Sequence, residues 1–192
     1  MGNLLDILIP TYNRADFLKK NLEMLGEYIA SLEEENNVSI IVSNNASTDH
    51  TSKVVEGFKN NFSQIHLKYF EQEVNIGLEK NAVSVFSKST AKYSMFLGDD
   101  DYIDKKYLEK ILYYMRNDDE ISCFIPSIQS IDLNGNDNHG RGRDLNKPTK
   151  RYKRGEISAA LNMYKGHQLS GVTVLRKNTI DAYFTSQCRN IY

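Results

Sequence analysis

Cysteine and proline are scarce in this chain of 192 residues, with two Cys and three Pro, and tryptophan is absent. Cys123 and Cys188 show no C-x-x-C or Cys/His spacing, so neither a disulfide scaffold nor a zinc ribbon is expected and a reducing, cytosolic compartment fits best. No apolar run approaches the roughly 20 residues that cross a bilayer, and residues 1–10 lack the basic start and cleavage site of a signal peptide, so neither a spanning nor a secreted chain is expected. Charge of either sign is not in excess: 24 Lys and Arg against 25 Asp and Glu give a net charge of −1, which speaks against a globally basic nucleic-acid binder. There is no G-x-G-x-x-G after the first apolar run and no G-x-x-x-x-G-K-[ST], so dinucleotide and P-loop chemistry are not expected.

What is present alternates. Residues 4–9 form a short, nearly continuous apolar run closed by Pro10, the pattern of a strand buried on both faces. Leu18, Leu22, Leu25, Ile29 and Leu32 then fall on one helical face, with Asn13 or Asp16 as caps. The unit repeats: a β-branched run at 38–42, then a helix carrying Val54, Val55 and Phe58; a strand at 65–70, then a helix at 78–87 burying Ala82, Val83 and Phe86. A strand at 93–97, a helix with the stripe Tyr107, Leu108, Ile111, Leu112 and Met115, and a strand at 123–129 follow. This predicts an α/β domain with a mainly parallel sheet flanked by helices. Beyond residue 131 come a turn at Asn134-Gly135, a basic stretch at 141–154 with the single acid Asp144, a helical pattern at 157–164 and a strand at 171–175. The reading divides the chain into a core over 1–130 and a further segment over 131–192.

Asp99, Asp100 and Asp101 stand just past the end of a buried strand, where open α/β sheets hold their ligands. Three adjacent carboxylates repel one another and invite a divalent counter-charge, and hard oxygen donors suit Mg²⁺ or Mn²⁺. The alternative is a helix N-terminus enriched in acids by the dipole. The loops that follow the first two strands lie on the same edge: Tyr12 offers a stacking face, and Asn44, Ser47 and Asp49 offer polar partners for a base or ribose.

Four segments in order, Ile7-Leu8-Ile9-Pro10-Thr11-Tyr12-Asn13-Arg14, Val42-Ser43-Asn44-Asn45-Ala46-Ser47-Thr48-Asp49, Asn75-Ile76-Gly77 and Phe96-Leu97-Gly98-Asp99-Asp100-Asp101, resemble the family 2 glycosyltransferases of the GT-A fold over roughly residues 4–130. The resemblance implies a Rossmann-like GT-A sheet and a metal-dependent, inverting transfer from a nucleotide-sugar, most often a UDP-sugar, in the building of bacterial envelope glycans. Carried over by position, Pro10, Thr11, Tyr12, Arg14, Asn44, Asn45, Asn75, Gly77, Asp99 and Asp100 form the nucleotide-sugar site, with Asn44 at the base. Asp100 and Asp101 hold Mn²⁺ or Mg²⁺.

Two positions depart from the family pattern. Asn44 stands where the family usually has Asp against uracil, so that contact loses its charge assistance, and Gly98 stands at the first acidic place of Leu-Asp-x-Asp-Asp. The family's downstream Glu-Asp pair, which supplies the general base, has no counterpart after Glu120, where the acids are Asp132, Asp137, Asp144, Glu156 and Asp181; the expectation is a base beyond the chain end, with Asp181 the candidate within it. His167, Gln168, Ser170 and Gly171 resemble the segment facing the acceptor. The expected acceptor is a glycan or a polyprenyl-diphosphate-linked glycan, which implies a cytoplasmic protein with peripheral contact at the inner membrane face and no nucleic-acid partner. Two further readings stand beside it: a non-catalytic nucleotide-sugar-binding module or fragment, and a sugar-phosphate nucleotidyltransferase, whose Gly-rich opening loop is missing.

Overall fold

The computed structural model describes residues 3–132, 149–153, 156–158 and 169–177. The elements are β1 (Leu5–Thr11), α1 (Ala15–Ser31), β2 (Val38–Asn44), α2 (Thr51–Asn61), β3 (Leu67–Glu71), α3 (Leu78–Ser87), β4 (Tyr93–Phe96), α4 (Lys105–Asn117), β5 (Cys123–Phe124) and β6 (Thr173–Leu175). They form one six-stranded sheet in the order β3-β2-β1-β4-β6-β5. The expected α/β fold is observed. β1 pairs in parallel with β2 and β4, and β2 with β3, whereas β6 enters antiparallel between β4 and β5.

The strand order explains the two layers. From β1 to β3 the chain steps one way across the sheet, and α3 then carries it back past β1 to β4, so right-handed crossovers place α3 on the opposite face from α1 and α2. Alternation along β1 matches. Leu5, Ile7 and Ile9 join the large apolar core with Leu18, Leu22, Leu25 and Ile29 of α1, Val55 and Phe58 of α2, and Leu108, Ile111 and Leu112 of α4. Leu8 turns the other way, with Ile41 and Val85 in a small second core. Every residue of β1 and β2 is buried, as a strand covered by helices on both sides requires.

The α3 side is the more polar. Asp6, wholly buried near the start of the chain's first strand, accepts hydrogen bonds from Ser39 Oγ (2.5 Å), Ser89 Oγ (2.8 Å), Thr90 N (2.7 Å) and Ala91 N (3.0 Å). Burial opposes its ionisation, yet these donors together hold the carboxyl below the ordinary carboxylate range.

Several expectations need correction. The caps of α1 are not Asn13 or Asp16: the N-cap position is Arg14, without a side-chain bond, and the free amide of Ala15 is taken by Asp49 Oδ2 (2.9 Å) from the loop after β2. The buried face of α3 is Asn81 and Val85, with Ala82, Val83 and Phe86 half-buried, because this helix lies over Ser43, to which Asn81 bonds through both ends of its amide. The fifth strand ends at Phe124 rather than 129, since its partner β6 is only three residues long. Of the helical pattern at 157–164, residues 157–158 are helical and the rest lies outside the described residues, as does Asn134-Gly135.

Residues 1–124 and 170–192 make one compact unit and residues 125–169 a second. In the described part of the second, Lys153 N donates to Glu156 Oε1 (2.9 Å). No helix among the described residues is long and apolar enough to cross a membrane.

Removing the Asp6 carboxylate strands several buried donors, a loss of about 3 kcal/mol. We expect Asp6→Ala to lose about that much in urea denaturation at neutral pH. Because its folded-state pKa is depressed, the stability it contributes is present above the unfolded value of 3.8 and vanishes as pH falls through the folded one. The deficit of Asp6→Asn therefore narrows as unfolding is measured at successively lower pH below 3.8.

Candidate functional site

The parallel register aligns the C-terminal ends of the strands, Thr11 opposite Asn44 and Asn44 opposite Glu71. β1 and β4 are neighbours at a point where the strand order reverses, and the loops leaving them towards α1 and α4 meet at that edge. Leu97 N still donates to Leu8 O (2.9 Å), so Gly98 and the three aspartates start immediately beyond the paired strands.

Asp99 turns inward. It is 6% exposed, accepts from Thr11 Oγ1 (2.8 Å) and from the Tyr12 amide, and lies 3.5 Å from Arg14 Nη1. Burial raises its pKa above the usual carboxylate value, and Thr11, Arg14 and Tyr12 only partly offset that. Asp100 is half-exposed and pairs with the same Arg14 Nη1. The carboxylate of Asp101 folds back towards Gly98: a Cβ at position 98 would stand 2.6 Å from Asp101 Oδ2. The missing side chain at Gly98 is thus what admits the third carboxylate. The helix-terminus explanation of the acidic run does not apply, because α4 begins at Lys105 and is capped by Asp104, which accepts from Lys106 N (2.7 Å).

The loop is held from beneath by a residue that the sequence reading passed over. Asn21 of α1, 1% exposed, donates from Nδ2 to Gly98 O (3.0 Å) and Asp101 O (2.8 Å), with Asp99 O at 3.5 Å. Its signal was an amide in the apolar stripe between Leu18, Leu22 and Leu25. From the side, Ser170 Oγ accepts from Gly98 N (2.8 Å), and Tyr107 donates its hydroxyl proton to Gly171 O (2.8 Å), so both residues expected on the acceptor side reach this loop or its following helix. His167, Gln168 and Asp181 lie outside the described residues.

The other two loops are stitched to one another. Asn13, at φ 53°, accepts from Thr48 N (2.8 Å) and gives its own amide to Ser47 Oγ (2.9 Å). Asp49 accepts from Thr51 N (3.0 Å) and Thr51 Oγ1 as well as Ala15 N; burial works against its charge, but these donors hold its carboxyl below the ordinary range. Ser47 and Asp49, expected as partners for a base or ribose, therefore spend these contacts on the loops. Asn45 bonds Asn75 Oδ1 (2.9 Å) and Ile76 N (2.9 Å), while Asn75 Oδ1 also accepts from Gly77 N, whose φ of 85° suits glycine.

Asn44 is wholly buried, accepting from Ser47 N (3.0 Å) and donating to Tyr69 Oη (2.8 Å), which donates in turn to Glu71 Oε2 (2.9 Å). Tyr12, by contrast, is 41% exposed at the rim. The structure thus brings Thr11, Tyr12, Arg14, Asp99, Asp100 and Asp101 together at one edge, with Asn44, Asn45, Asn75 and Gly77 in the adjoining loops. Among the described residues no group of three or more His, Cys, Asp or Glu side chains is placed to hold a metal ion by itself.

The sequence profile described as Glycosyl transferase family 2 matches residues 6–177. Among curated proteins, the abequosyltransferase RfbV of Salmonella typhimurium is 29% identical over 120 residues, covering 62% of this chain and 34% of its own. The teichuronic acid biosynthesis glycosyltransferase TuaG of Bacillus subtilis, a putative assignment, is 24% identical over 62% of this chain and 44% of its own. The chain spans about a third of the length of RfbV, at 34%. Among solved structures, S. aureus TarS 1–349 with UDP superposes with a TM-score of 0.55 at 20% identity, over 69% of this chain and 43% of that one. The mannosyltransferase PcManGT of Pyrobaculum calidifontis, in complex with GDP-Man and Mn²⁺, gives 0.54 at 17% identity, over 64% and 35%. At such identities the superpositions establish the GT-A fold.

Replacing Asn21 by Leu keeps the volume but leaves the Gly98 and Asp101 carbonyls without their donor, a penalty of about 1–3 kcal/mol for buried groups. We expect a loss of that size in denaturant unfolding, together with faster amide hydrogen exchange across residues 98–102 than in the strands.

Proposed function

The chain belongs to glycosyl transferase family 2, and from that premise we propose that it transfers a sugar from a nucleotide-sugar, most favourably a UDP-sugar, to a glycan or lipid-linked acceptor of the cell envelope. The observation that carries this reading is the junction of β1 and β4, where the Thr11–Asp99 hydrogen bond sets Asp100, Asp101 and Arg14 at the carboxyl edge of the sheet. Relatives that bind UDP, or GDP-Man with Mn²⁺, support it at the level of class.

In this reading the exposed ring of Tyr12 offers a stacking surface for the base, and the Asn45–Asn75–Gly77 loop borders the ribose and sugar side. The donor set suits a hard divalent cation. Asp100 and Asp101 would hold it through carboxylate oxygens, leaving positions that diphosphate oxygens and water could fill, as Mg²⁺ and Mn²⁺ accept. Bound there, the ion would offset charge developing on the departing diphosphate. Asp99, held by Thr11 and the Tyr12 amide, fixes the backbone from which the two outer carboxylates project. Ser170 and Gly171, tied to Gly98 and Tyr107, mark the acceptor side. The reaction is one displacement at the anomeric carbon: the acceptor oxygen bonds to it as the bond to the diphosphate oxygen breaks, and the acceptor proton passes to a carboxylate. A site on the cytoplasmic side of the membrane belongs to the same proposal.

The test is thermal unfolding of the chain and of Asp101→Ala with UDP, GDP, TDP or CMP, with and without Mn²⁺. A nucleotide at 100 times its Kd adds about 2.7 kcal/mol, which raises the midpoint of a chain this size by roughly 5–10 °C. We expect that shift with UDP, dependent on both Mn²⁺ and Asp101. A shift with GDP alone reassigns the base, and no shift with any nucleotide overturns the reading. Release of UDP from a UDP-sugar only when acceptor is added separates transfer from simple binding.

A further inference from the structure

We propose that Arg14 is the resident counter-cation of the Asp99–Asp100 carboxylates and that its displacement couples binding of the divalent cation to binding of the donor diphosphate. The inference rests on the donor-site reading above and goes beyond it, by assigning Arg14 two alternating partners.

The geometry is asymmetric. Arg14 Nη1 contacts Asp100 Oδ2 and lies 3.5 Å from Asp99 Oδ1. Asp99 keeps Thr11 and the Tyr12 amide when the guanidinium leaves, and its carboxylate stays buried with partners. Asp100 is 44% exposed, and the contact with Arg14 lies on its solvent side. The Arg14 side chain is itself 49% exposed and its backbone is fixed independently, since its carbonyl accepts from Leu18 N (3.0 Å) at the start of α1. The guanidinium can therefore swing without disturbing the core.

A divalent cation on Asp100 and a guanidinium in contact with Asp100 Oδ2 compete for the same oxygen and repel each other. Metal alone must therefore expel Arg14 into water beside a new positive charge. When a diphosphate arrives with the metal, the expelled guanidinium gains an anion that its fork of donors matches. Each ligand thus removes a cost that the other would meet alone, and by linkage the enhancement is the same in both directions. The device gives Asp99 and Asp100 a cationic partner in the empty site without committing them to a metal.

The experiment titrates Mn²⁺ into the full chain, following free Mn²⁺ by electron paramagnetic resonance, with and without UDP, for the native protein, Arg14→Gln and Arg14→Lys. Circular dichroism checks that all three are folded. The native chain should bind Mn²⁺ about 5–150-fold more tightly with UDP than without, the usual span of such couplings. Arg14→Gln should bind Mn²⁺ alone several-fold more tightly than the native chain and lose most of the enhancement by UDP. Arg14→Lys, which keeps a cation at the loop, should still suppress binding of metal alone. Arg14→Gln binding Mn²⁺ alone no better than the native chain, or keeping the full enhancement, overturns the proposal while leaving the donor site intact. Native protein that binds no Mn²⁺ even with UDP overturns the donor-site reading and this proposal with it.

Discussion

Asp99 is a carboxylate almost out of solvent where the sheet reverses its strand order between β1 and β4, and the rest of the edge is arranged around that fact. A buried carboxylate is costly unless donors surround it. Thr11 and the Tyr12 amide come from β1 and its loop, Arg14 from the start of α1, and together they bind the ends of two neighbouring strands to the first helix. With Asp99 turned inward, Asp100 faces solvent and Asp101 curls over Gly98. Asn21 then holds the backbone carbonyls of the same turn from below. One inward carboxylate therefore fixes the directions of the two that follow.

The opposite end of β1 solves a similar problem with different means. Asp6 is as buried as any residue in the chain, yet its donors are hydroxyls and amides of β2 and the turn before β4, and no cation pairs with it among the described residues. Its charge is stabilised by converging dipoles and cannot be exchanged for a ligand, whereas Asp100, paired with a half-exposed arginine, can change partners. The difference separates a carboxylate that ties strands together from one available for chemistry. Both lie at strand ends of the same sheet, and the one with exposed partners lies where the strands open into loops.

The sheet and its helices were legible in the sequence because β-branched runs and helical stripes repeat without ambiguity: the expected strands at 38–42 and 93–97 and the stripe Leu108, Ile111, Leu112, Met115 fall where the structure has β2, β4 and the buried face of α4. Spacing also located the loops that meet at the carboxyl edge. Which polar residue touches which was not legible. Asp49 looks like a ligand-facing turn residue, yet it serves the amides of Ala15 and Thr51, because caps can come from another loop when the backbone of the local candidate, here Asn13 at φ 53°, turns its side chain away. Asn21 was hidden for a similar reason: helical periodicity marks it as core, and only the neighbouring loop reveals what it holds. The antiparallel β6 is separated from β4 by a long stretch of chain, and no local pattern encodes such pairing.

The departure at Asn44 has a physical reason in this chain. Tyr69 donates its phenolic proton to Glu71 Oε2, and its oxygen accepts from Asn44 Nδ2 at 2.8 Å, with Ser52 Oγ 2.9 Å away. An aspartate in this place could still accept from Ser47 N, but it would set a second carboxylate against the phenol that already donates to Glu71. Two carboxylates on one phenol repel each other, a cost that the amide avoids. Burial already raises the Tyr69 pKa, with Glu71 adding to it against the lowering by Ser52 and Asn44, so the phenol stays protonated and the chain of donors keeps its direction. An amide at 44 and a carboxylate at 71 are therefore one device: the negative charge that the family pattern places at the end of β2 stands here at the end of β3, in register with it across the sheet.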